Sequence, residues 1–92
     1  MFTLINMTHI EFSRSDRKGK KYKAVVNGKI VHFGASGYQQ YRDRIGLYKS
    51  LDHLDPKRRK RYRDRHKKIM VGSVPAYTIK YTPAWFSWHY LW

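Results

Sequence analysis

An Asn-Gly pair at residues 27 and 28 constrains the fold of this chain more than any other feature of its sequence. Asparagine followed by glycine readily adopts the positive φ angles that a two-residue turn between antiparallel strands requires. The segments on either side, residues 21–26 and 29–33, are rich in the β-branched and aromatic residues that favour strands. The sequence therefore predicts a β-hairpin, and with it an antiparallel sheet.

The two-residue turn also fixes which residues of the hairpin face each other. The predicted cross-strand pairs are Val26 with Lys29, Ala24 with Val31 and Tyr22 with Phe33. The side that faces the core then consists of Tyr22, Ala24, Val31 and Phe33. Because side chains alternate along a strand, Lys21 and Lys23 point to the other face, where we expect them to add charge to a binding surface. That face is amphipathic, so part of it needs a second layer or a partner.

The segments that flank the hairpin predict further elements. Loose alternation over residues 2–12 predicts one or two short strands that end near Ser13. After the hairpin, Ser36 and Gln39 have the spacing of a capping box, and tyrosines recur at helical intervals, which predicts a helix over residues 37–51. A tyrosine stripe of this kind is more typical of a core-facing side than of a base-stacking surface.

A strongly basic segment follows, and we expect it to be the functional surface. Asp55 before Pro56 is typical of a helix start, because the carboxylate accepts free amide hydrogens and a proline in the first turn forfeits no bond. The predicted helix runs from Pro56 to about Ile69. Nine of the twelve residues from 57 to 68 are basic, namely Lys57, Arg58, Arg59, Lys60, Arg61, Arg63, Arg65, Lys67 and Lys68.

The charge of this helix is unfavourable unless an anion lies nearby. Each pair of like charges four residues apart costs about 0.2–0.5 kcal/mol, and cations in the first turn oppose the helix dipole. Tyr62, His66 and Ile69 share one narrow face that is expected to pack against the domain. Arg59 and Arg63 are expected to lie off that face, so that their replacement leaves the protein folded and slightly more stable. We expect an acidic partner against the helix; the alternative is a solvated charged surface.

The C-terminal third combines a predicted strand with an aromatic segment. Alternation over residues 76–82 predicts a late strand of the sheet. Thr82 before Pro83 repeats the pattern of a helix start, and residues 84–92 contain three tryptophans that share one face if the segment is helical. A segment this aromatic either fills the core, which we favour, or docks on another protein at residues 85–92.

The length and charge of the chain limit the class of protein to which it can belong. A chain of 92 residues makes one domain, residues 1–92, and its formal net charge of +14 attracts polyanions, nucleic acid above all. The chain has no cysteine, which excludes disulfides and thiolate metal sites. The sequence contains no pattern typical of a signal peptide or membrane span, so we expect an intracellular, unsecreted protein that does not bind membranes.

Two kinds of chemical site have suitable side chains in this sequence but no diagnostic spacing. His53, Asp55, His66 and His89 have the right side chains for zinc or iron, but their spacing is not diagnostic, and we expect no metal or cofactor. A ribonuclease-like site could use His32, His53 or His66 among the arginines. No spacing specifies such a site, so we assign no catalytic residue and expect that the protein is not an enzyme.

Three segments carry a resemblance to a known family. They are FGASGYQQY at residues 33–41, HLDPKRRKRYRDRH at 53–66 and FSWHYLW at 86–92. In this order they resemble a small uncharacterised family encoded by large double-stranded DNA viruses, over about four fifths of the chain. The resemblance implies a viral gene product packaged in virions. His53, Asp55, Pro56 and Trp92 look like recurring residues of that family.

These observations predict an α+β domain, with a small antiparallel sheet around the Asn-Gly hairpin, two helices and an aromatic C-terminal segment. The predicted function is non-catalytic binding of nucleic acid phosphates, DNA in the first instance, by a protein of the virion or the viral genome. The alternatives are a minor capsid or cement protein that meets acidic capsid surfaces, and a small nuclease. The expected location is the virion or the cytoplasm or nucleus of an infected cell.

Overall fold

A computed structural model describes residues 9–92 and has an α+β architecture. A three-stranded antiparallel sheet has the order β1 (Ile10–Arg14), β2 (Lys20–Val26) and β3 (Lys29–Ala35). Helix α1 (Pro56–His66) and helix α2 (Pro83–Tyr90) follow, with a two-stranded hairpin of β4 (Met70–Val71) and β5 (Val74–Pro75) between them. Within residues 9–92, no helix is both long and apolar enough to cross a bilayer.

The predicted hairpin is confirmed in both its turn and its register. Asn27 and Gly28 have φ angles of 51° and 74° and connect β2 to β3. The pairs are those expected: Val26 with Lys29, Ala24 with Val31 and Tyr22 with Phe33. The four residues of the predicted core side are all buried. Local turn chemistry was therefore sufficient to predict which face of the hairpin enters the core.

Helix α2 supplies the second layer of the core. Its start is the predicted one, since the Thr82 hydroxyl accepts the amide hydrogen of Trp85 and Pro83 lies in the first turn. Phe86 is fully buried, and its ring stacks on that of Phe33 with a centroid distance of 5.1 Å and an interplanar angle of 18°. Leu91, just after the helix, is also buried. The aromatic segment thus packs on its own domain, as favoured.

Each of the three tryptophans makes its own aromatic contact with another part of the chain. Each is partly buried against a different tyrosine: Trp85 against Tyr81, Trp88 against Tyr77 and Trp92 against Tyr62. The tryptophans therefore attach α1 and the segment of residues 77–81 to the C-terminal part of the chain.

The predicted helix over residues 37–51 is wrong. This segment is irregular except for a 3₁₀ turn, Lys49–Leu51. Gly37 and Gly46 have φ angles of 82° and 110°, which no right-handed helix contains. The carboxylate of Asp43 accepts the amide hydrogens of Ile45, Gly46 and Tyr48, so the backbone gains a partner that competes with helical bonds.

The predicted late strand over residues 76–82 is also wrong. Residues Ala76–Thr78 form a 3₁₀ turn, and Tyr81 has a φ angle of 70°. Two threonine hydroxyls donate to backbone oxygens within this segment, Thr78 to Pro75 and Thr82 to Ile79, which favours turns over an extended strand. Of the strands predicted near the start of the chain, β1 is confirmed, and residues 2–8 lie outside the described part of the chain.

Candidate nucleic-acid interface

Helix α1 begins where the sequence predicts. The carboxylate of Asp55 accepts the amide hydrogens of Lys57, at 2.9 Å, and Arg58, at 3.5 Å, and Pro56 occupies the first turn. The helix ends at His66 rather than near Ile69, because the chain turns there into the β4–β5 hairpin, where the Ile69 oxygen accepts the amide hydrogen of Ala76. The nine cations of residues 57–68 are therefore brought together on one helix and the turn after it.

The face of α1 that meets the domain carries two of these cations. The Nε of Arg59 and the Nη2 of Arg63 donate to the backbone oxygen of Trp92, at 2.8 and 3.1 Å. The guanidinium of Arg63 also lies 4.7 Å from the centre of the Trp88 ring. The guanidinium of Arg59 lies 4.8 Å from the centre of the Tyr41 ring. The expectation that both arginines are free of structural contacts is wrong, because the end of the aromatic segment folds back beneath them.

A stack of three rings anchors the same face. The ring of Tyr62 lies 3.9 Å from His66 at an interplanar angle of 20°, and 4.1 Å from Trp92 at 3°. Two rings that are this close and nearly parallel to Tyr62 must lie on its opposite faces. Burial raises the pKa of the Tyr62 hydroxyl to about 12, so it remains protonated at neutral pH. The predicted packing role of Tyr62 and His66 is confirmed, whereas Ile69 is half exposed.

The opposite side of α1, here called the outward face, presents the exposed cations. Its members are Lys57, Lys60, Arg61, Arg65, Lys67 and Lys68. Asp64 pairs with two of them, with Lys60 at 2.7 Å and Lys67 at 3.3 Å. The hydrogen bond from Lys60, followed by that from Lys67, lowers the pKa of the Asp64 carboxyl. The other four cations of the outward face have no salt bridge within residues 9–92.

The spacing of three of those cations places them along one side of the helix. Lys57, Arg61 and Arg65 follow each other at four-residue intervals, and Lys68 lies in the turn after α1. The first turn of α1 contains no acidic residue, so the cap carboxylate of Asp55 is the acidic group at the positive end of the helix dipole, where Lys57 also lies. The outward face is therefore a continuous row of positive charge.

The two sheet lysines that were expected on the binding surface have different positions. Lys21 is 2% exposed, and its Nζ donates to the Tyr38 oxygen at 2.6 Å and to the Gln40 side chain at 2.5 Å. Burial lowers the pKa of Lys21, although Asp43 and Asp52 partly offset this. The placement of Lys21 on the surface is wrong, because the loop that replaces the predicted helix covers it. Lys23 is half-buried on β2, opposite His32.

A cleft of about 590 Å³ lies beside the ring stack and was not predicted. We call it the Tyr38 cleft. Its lining includes Lys20, Tyr38, Gln39, Arg58, Tyr62, Arg65, His66 and Trp92. The ring of Tyr38 is 71% exposed, and Arg58 donates to the Gln39 side chain at 2.8 Å. The periodicity of the tyrosines concealed this site; the only sequence signal was the adjacent Gly37, which interrupts a helix.

The candidate histidines have structural contacts of their own. His32 contacts the Ser15 hydroxyl at 2.7 Å, and the Nδ1 of His53 accepts the amide hydrogen of Asp55 at 3.0 Å. His53 also packs against Trp92, which gives this residue a role in positioning the start of α1. Within residues 9–92, no group of three or more His, Cys, Asp or Glu side chains is placed to hold a metal ion.

Comparison with known proteins identifies the family of the chain. Searches of curated proteins and of solved structures gave no match. A family model described as a family of unknown function, DUF5754, matches residues 10–66. That match covers the three-stranded sheet, the loop with Asp43 and all of α1. The chain therefore belongs to the family of unknown function DUF5754.

Proposed function

We propose that α1 binds the phosphates of nucleic acid through its outward face, without catalysis. The observation that carries this proposal is the row of exposed cations, Lys57, Arg61, Arg65 and Lys68, which have no carboxylate partner within residues 9–92. A net charge of +14 creates an attractive field for polyanions around the whole domain. Phosphates spaced along a strand are the common biological ligand for such a row.

The electrostatics of α1 alone support an anionic partner. Lys57 and Arg61, and Arg61 and Arg65, are pairs of like charge four residues apart, each costing about 0.2–0.5 kcal/mol. Asp64 offsets the repulsion only at Lys60 and Lys67. A bound polyanion would offset this repulsion between the cations. The free helix is thus under electrostatic strain that binding relieves.

The attachment of α1 also supports binding. The bonds from Arg59 and Arg63 to the Trp92 oxygen, together with the stack of Tyr62 on Trp92, fix the helix to the domain. A cationic surface that is already ordered loses less conformational entropy when it binds. Arginine and aromatic residues thus position the helix, while lysine and the remaining arginines meet the ligand.

We propose further that the protein acts in a virus, on the genome or within the virion. This part of the proposal depends on the resemblance of residues 33–41, 53–66 and 86–92 to a family of large DNA viruses. The corresponding location is the virion or the infected-cell cytoplasm or nucleus. Nucleic acid, DNA in the first instance, is the proposed partner.

A second candidate is a minor capsid or cement protein, and one observation favours it. The β4–β5 hairpin and the residue before it expose four apolar side chains, Ile69, Met70, Val71 and Val74, by 45–59%. An apolar projection beside a cationic helix would suit a partner protein with an acidic rim. Acidic capsid surfaces would then take the place of phosphates.

The experiment that tests the primary proposal measures duplex DNA affinity as a function of salt. A Lys57→Ala, Arg61→Ala variant removes two outward cations that make no salt bridge within the described chain. We expect the slope of log K against log salt to flatten by about 2, because each phosphate contact contributes about 0.9. A charge-matched control, Lys29→Ala with Lys80→Ala, changes exposed lysines away from α1 and should affect the slope much less.

The outcomes separate the two candidates. An unchanged slope in the Lys57, Arg61 variant would contradict phosphate binding by the outward face. The capsid candidate then predicts stoichiometric incorporation into particles that is lost when Val71 and Val74 are replaced by serine. Circular dichroism of each variant checks that the fold is retained.

A further inference from the structure

We propose that the Tyr38 cleft takes an unstacked base of single-stranded nucleic acid. This inference rests on the proposed function of α1 and adds to it the kind of nucleic acid bound. The base would lie against the exposed ring of Tyr38, and the phosphates on either side would meet Lys20, Arg58 and Arg65.

The size and lining of the cleft suit a nucleotide. Its volume of about 590 Å³ is within the range of pockets that bind small ligands, about 300–1,000 Å³. Aromatic side chains and cations line it together, which is the combination that single-strand binding proteins use. The amide nitrogen of Gln39 adds a donor for the edge of a base, while its oxygen accepts from Arg58.

Tyr38 is presented as a stacking surface rather than as part of the core. Its ring is 71% exposed, whereas its backbone is fixed at both polar atoms. The Tyr38 amide donates to the Ala35 oxygen at 3.4 Å, and the Tyr38 oxygen accepts from the buried Lys21 at 2.6 Å. An exposed aromatic ring on an ordered backbone can stack on a base with little loss of conformational freedom. This position also gives the buried Lys21 a role beside the site.

The cleft and the outward face are neighbouring surfaces of α1. Arg58, Tyr62 and Arg65 follow each other at four- and three-residue intervals, so they lie on one side of the helix, and Arg65 borders both this side and the outward face. Lys57 and Arg61 precede Arg58 and Tyr62 by one residue and so lie about 100° from them around the helix axis. A strand with one base in the cleft can therefore continue over the outward cations.

The geometry of the cleft favours single-stranded over double-stranded nucleic acid. In a duplex each base is stacked and paired, so entering the cleft would require extrusion at a cost in stacking energy. A base of a single strand loses much less stacking energy when it enters the cleft. Both forms still offer phosphates to the outward face, so duplex binding is expected to be weaker and independent of Tyr38.

The test compares three labelled probes by fluorescence anisotropy: a single-stranded oligothymidylate, a duplex of equal length and an abasic single strand of equal length. The native protein should bind the oligothymidylate more tightly than the abasic strand, which has the same phosphates but no bases. Tyr38→Ala should weaken oligothymidylate binding about fivefold or more, the range of one lost base stack, and leave duplex binding unchanged. Tyr38→Trp should retain the affinity.

A matched control is Val71→Ala, which changes a side chain that is 59% exposed and does not line the cleft. It should alter none of the three affinities. Equal binding of oligothymidylate and abasic strand, or an unchanged oligothymidylate affinity in Tyr38→Ala, would overturn the cleft inference. If the Lys57, Arg61 variant still flattens the salt slope, the function of α1 stands although the cleft inference fails; if it does not, both fail.

Discussion

Tyr62 and Trp92 lie face to face, with ring centroids 4.1 Å apart and planes only 3° from parallel. No residue of α1 is fully buried, so the helix has no core residue of its own to hold it. This contact is therefore a principal attachment of the basic helix to the domain. Because Trp92 also packs against His53, one side chain orients both the start and the middle of the helix.

Replacement of Trp92 should therefore loosen α1. We expect Trp92→Ala to lower the free energy of unfolding by about 2–4 kcal/mol, since a half-buried ring and its aromatic contacts are lost while the backbone oxygen remains. Trp92→Phe should retain part of the stability. Urea denaturation followed by circular dichroism measures both. A change below about 0.5 kcal/mol in Trp92→Ala would show that the stack contributes little.

Arg63 and Lys57 differ in role although both are cations of α1. Arg63→Ala loses the bond to the Trp92 oxygen and the contact with the Trp88 ring, so we expect a loss of about 1–2 kcal/mol. Arg63→Lys should recover only part of this stability, because an ammonium lacks the planar fork of a guanidinium. Lys57→Ala, on the outward face, should stay within about 0.5 kcal/mol of the native protein. Equal stabilities of the two alanine variants would contradict the division of the helix into two faces.

The carboxylate of Asp43 holds the loop that replaces the predicted helix. It accepts the backbone amides of Ile45, Gly46 and Tyr48 and the hydroxyl of Tyr22. Asp43→Ala would leave these buried donors without a partner, and we expect a loss of about 2–4 kcal/mol. Asp16→Ala, at an exposed position, is the matched control and should have little effect. Thermal denaturation of both variants at pH 7 is the measurement.

Two glycines with similar backbone angles should respond differently to alanine. Gly19 has a φ angle of 84° and open space around it, so Gly19→Ala should cost about 1 kcal/mol for the positive φ alone. Gly34 has a φ angle of 80°, but an added Cβ would lie 3.1 Å from Leu91 Cδ1 and 3.3 Å from Lys21 Cβ. We therefore expect a larger cost for Gly34→Ala, about 2–3 kcal/mol, by urea denaturation. Equal losses of stability in the two variants would mean that Leu91 moves away from β3 without cost in free energy.

The stability of the domain should fall in mildly acidic solution. Burial, more than the nearby Arg58, lowers the pKa of His53, and burial likewise lowers the pKa of His66 and His89 below the ordinary value of about 6.5. The unfolded chain therefore binds protons first as the pH falls, so stability is complete above about pH 6.5 and declines below it, until the folded-state pKa values are passed. The free energy of unfolding at pH 5 should be smaller than at pH 7.5, and His53→Gln should reduce the difference. Equal stability at the two pH values would contradict a folded state that keeps these rings neutral.

Features set by neighbouring residues in the chain were predictable, and those set by distant partners were not. Asn27-Gly28 determines its own turn, and Asp55-Pro56 determines its own cap, so both appear as expected. Residues 37–51 have helical periodicity, yet Asp43 offers their backbone a better set of bonds once Tyr22 of the sheet binds the same carboxylate.

The candidate site shows the same distinction. The cationic character of α1 follows from sequence alone, but the assignment of Arg59 and Arg63 to packing depends on the Trp92 oxygen, which only the tertiary fold brings beneath them. Lys21 was placed on the surface because alternation along β2 cannot show that the loop with Gln40 covers that face. The exposure of Tyr38 was likewise unpredictable, because it depends on the loop that replaces the predicted helix.

The stacking of Phe86 on Phe33 has a consequence for the order of folding. The β2–β3 hairpin joins neighbours in the chain and can form within about 1–10 μs. The contact between Phe33 and Phe86 instead closes a loop of all the residues between them, which includes α1, and loop closure of this kind slows folding. We expect an early hairpin without a sealed core, and a slower step in which α2 docks and gives α1 its attachment. The basic helix would then acquire its fixed orientation only at the end of folding.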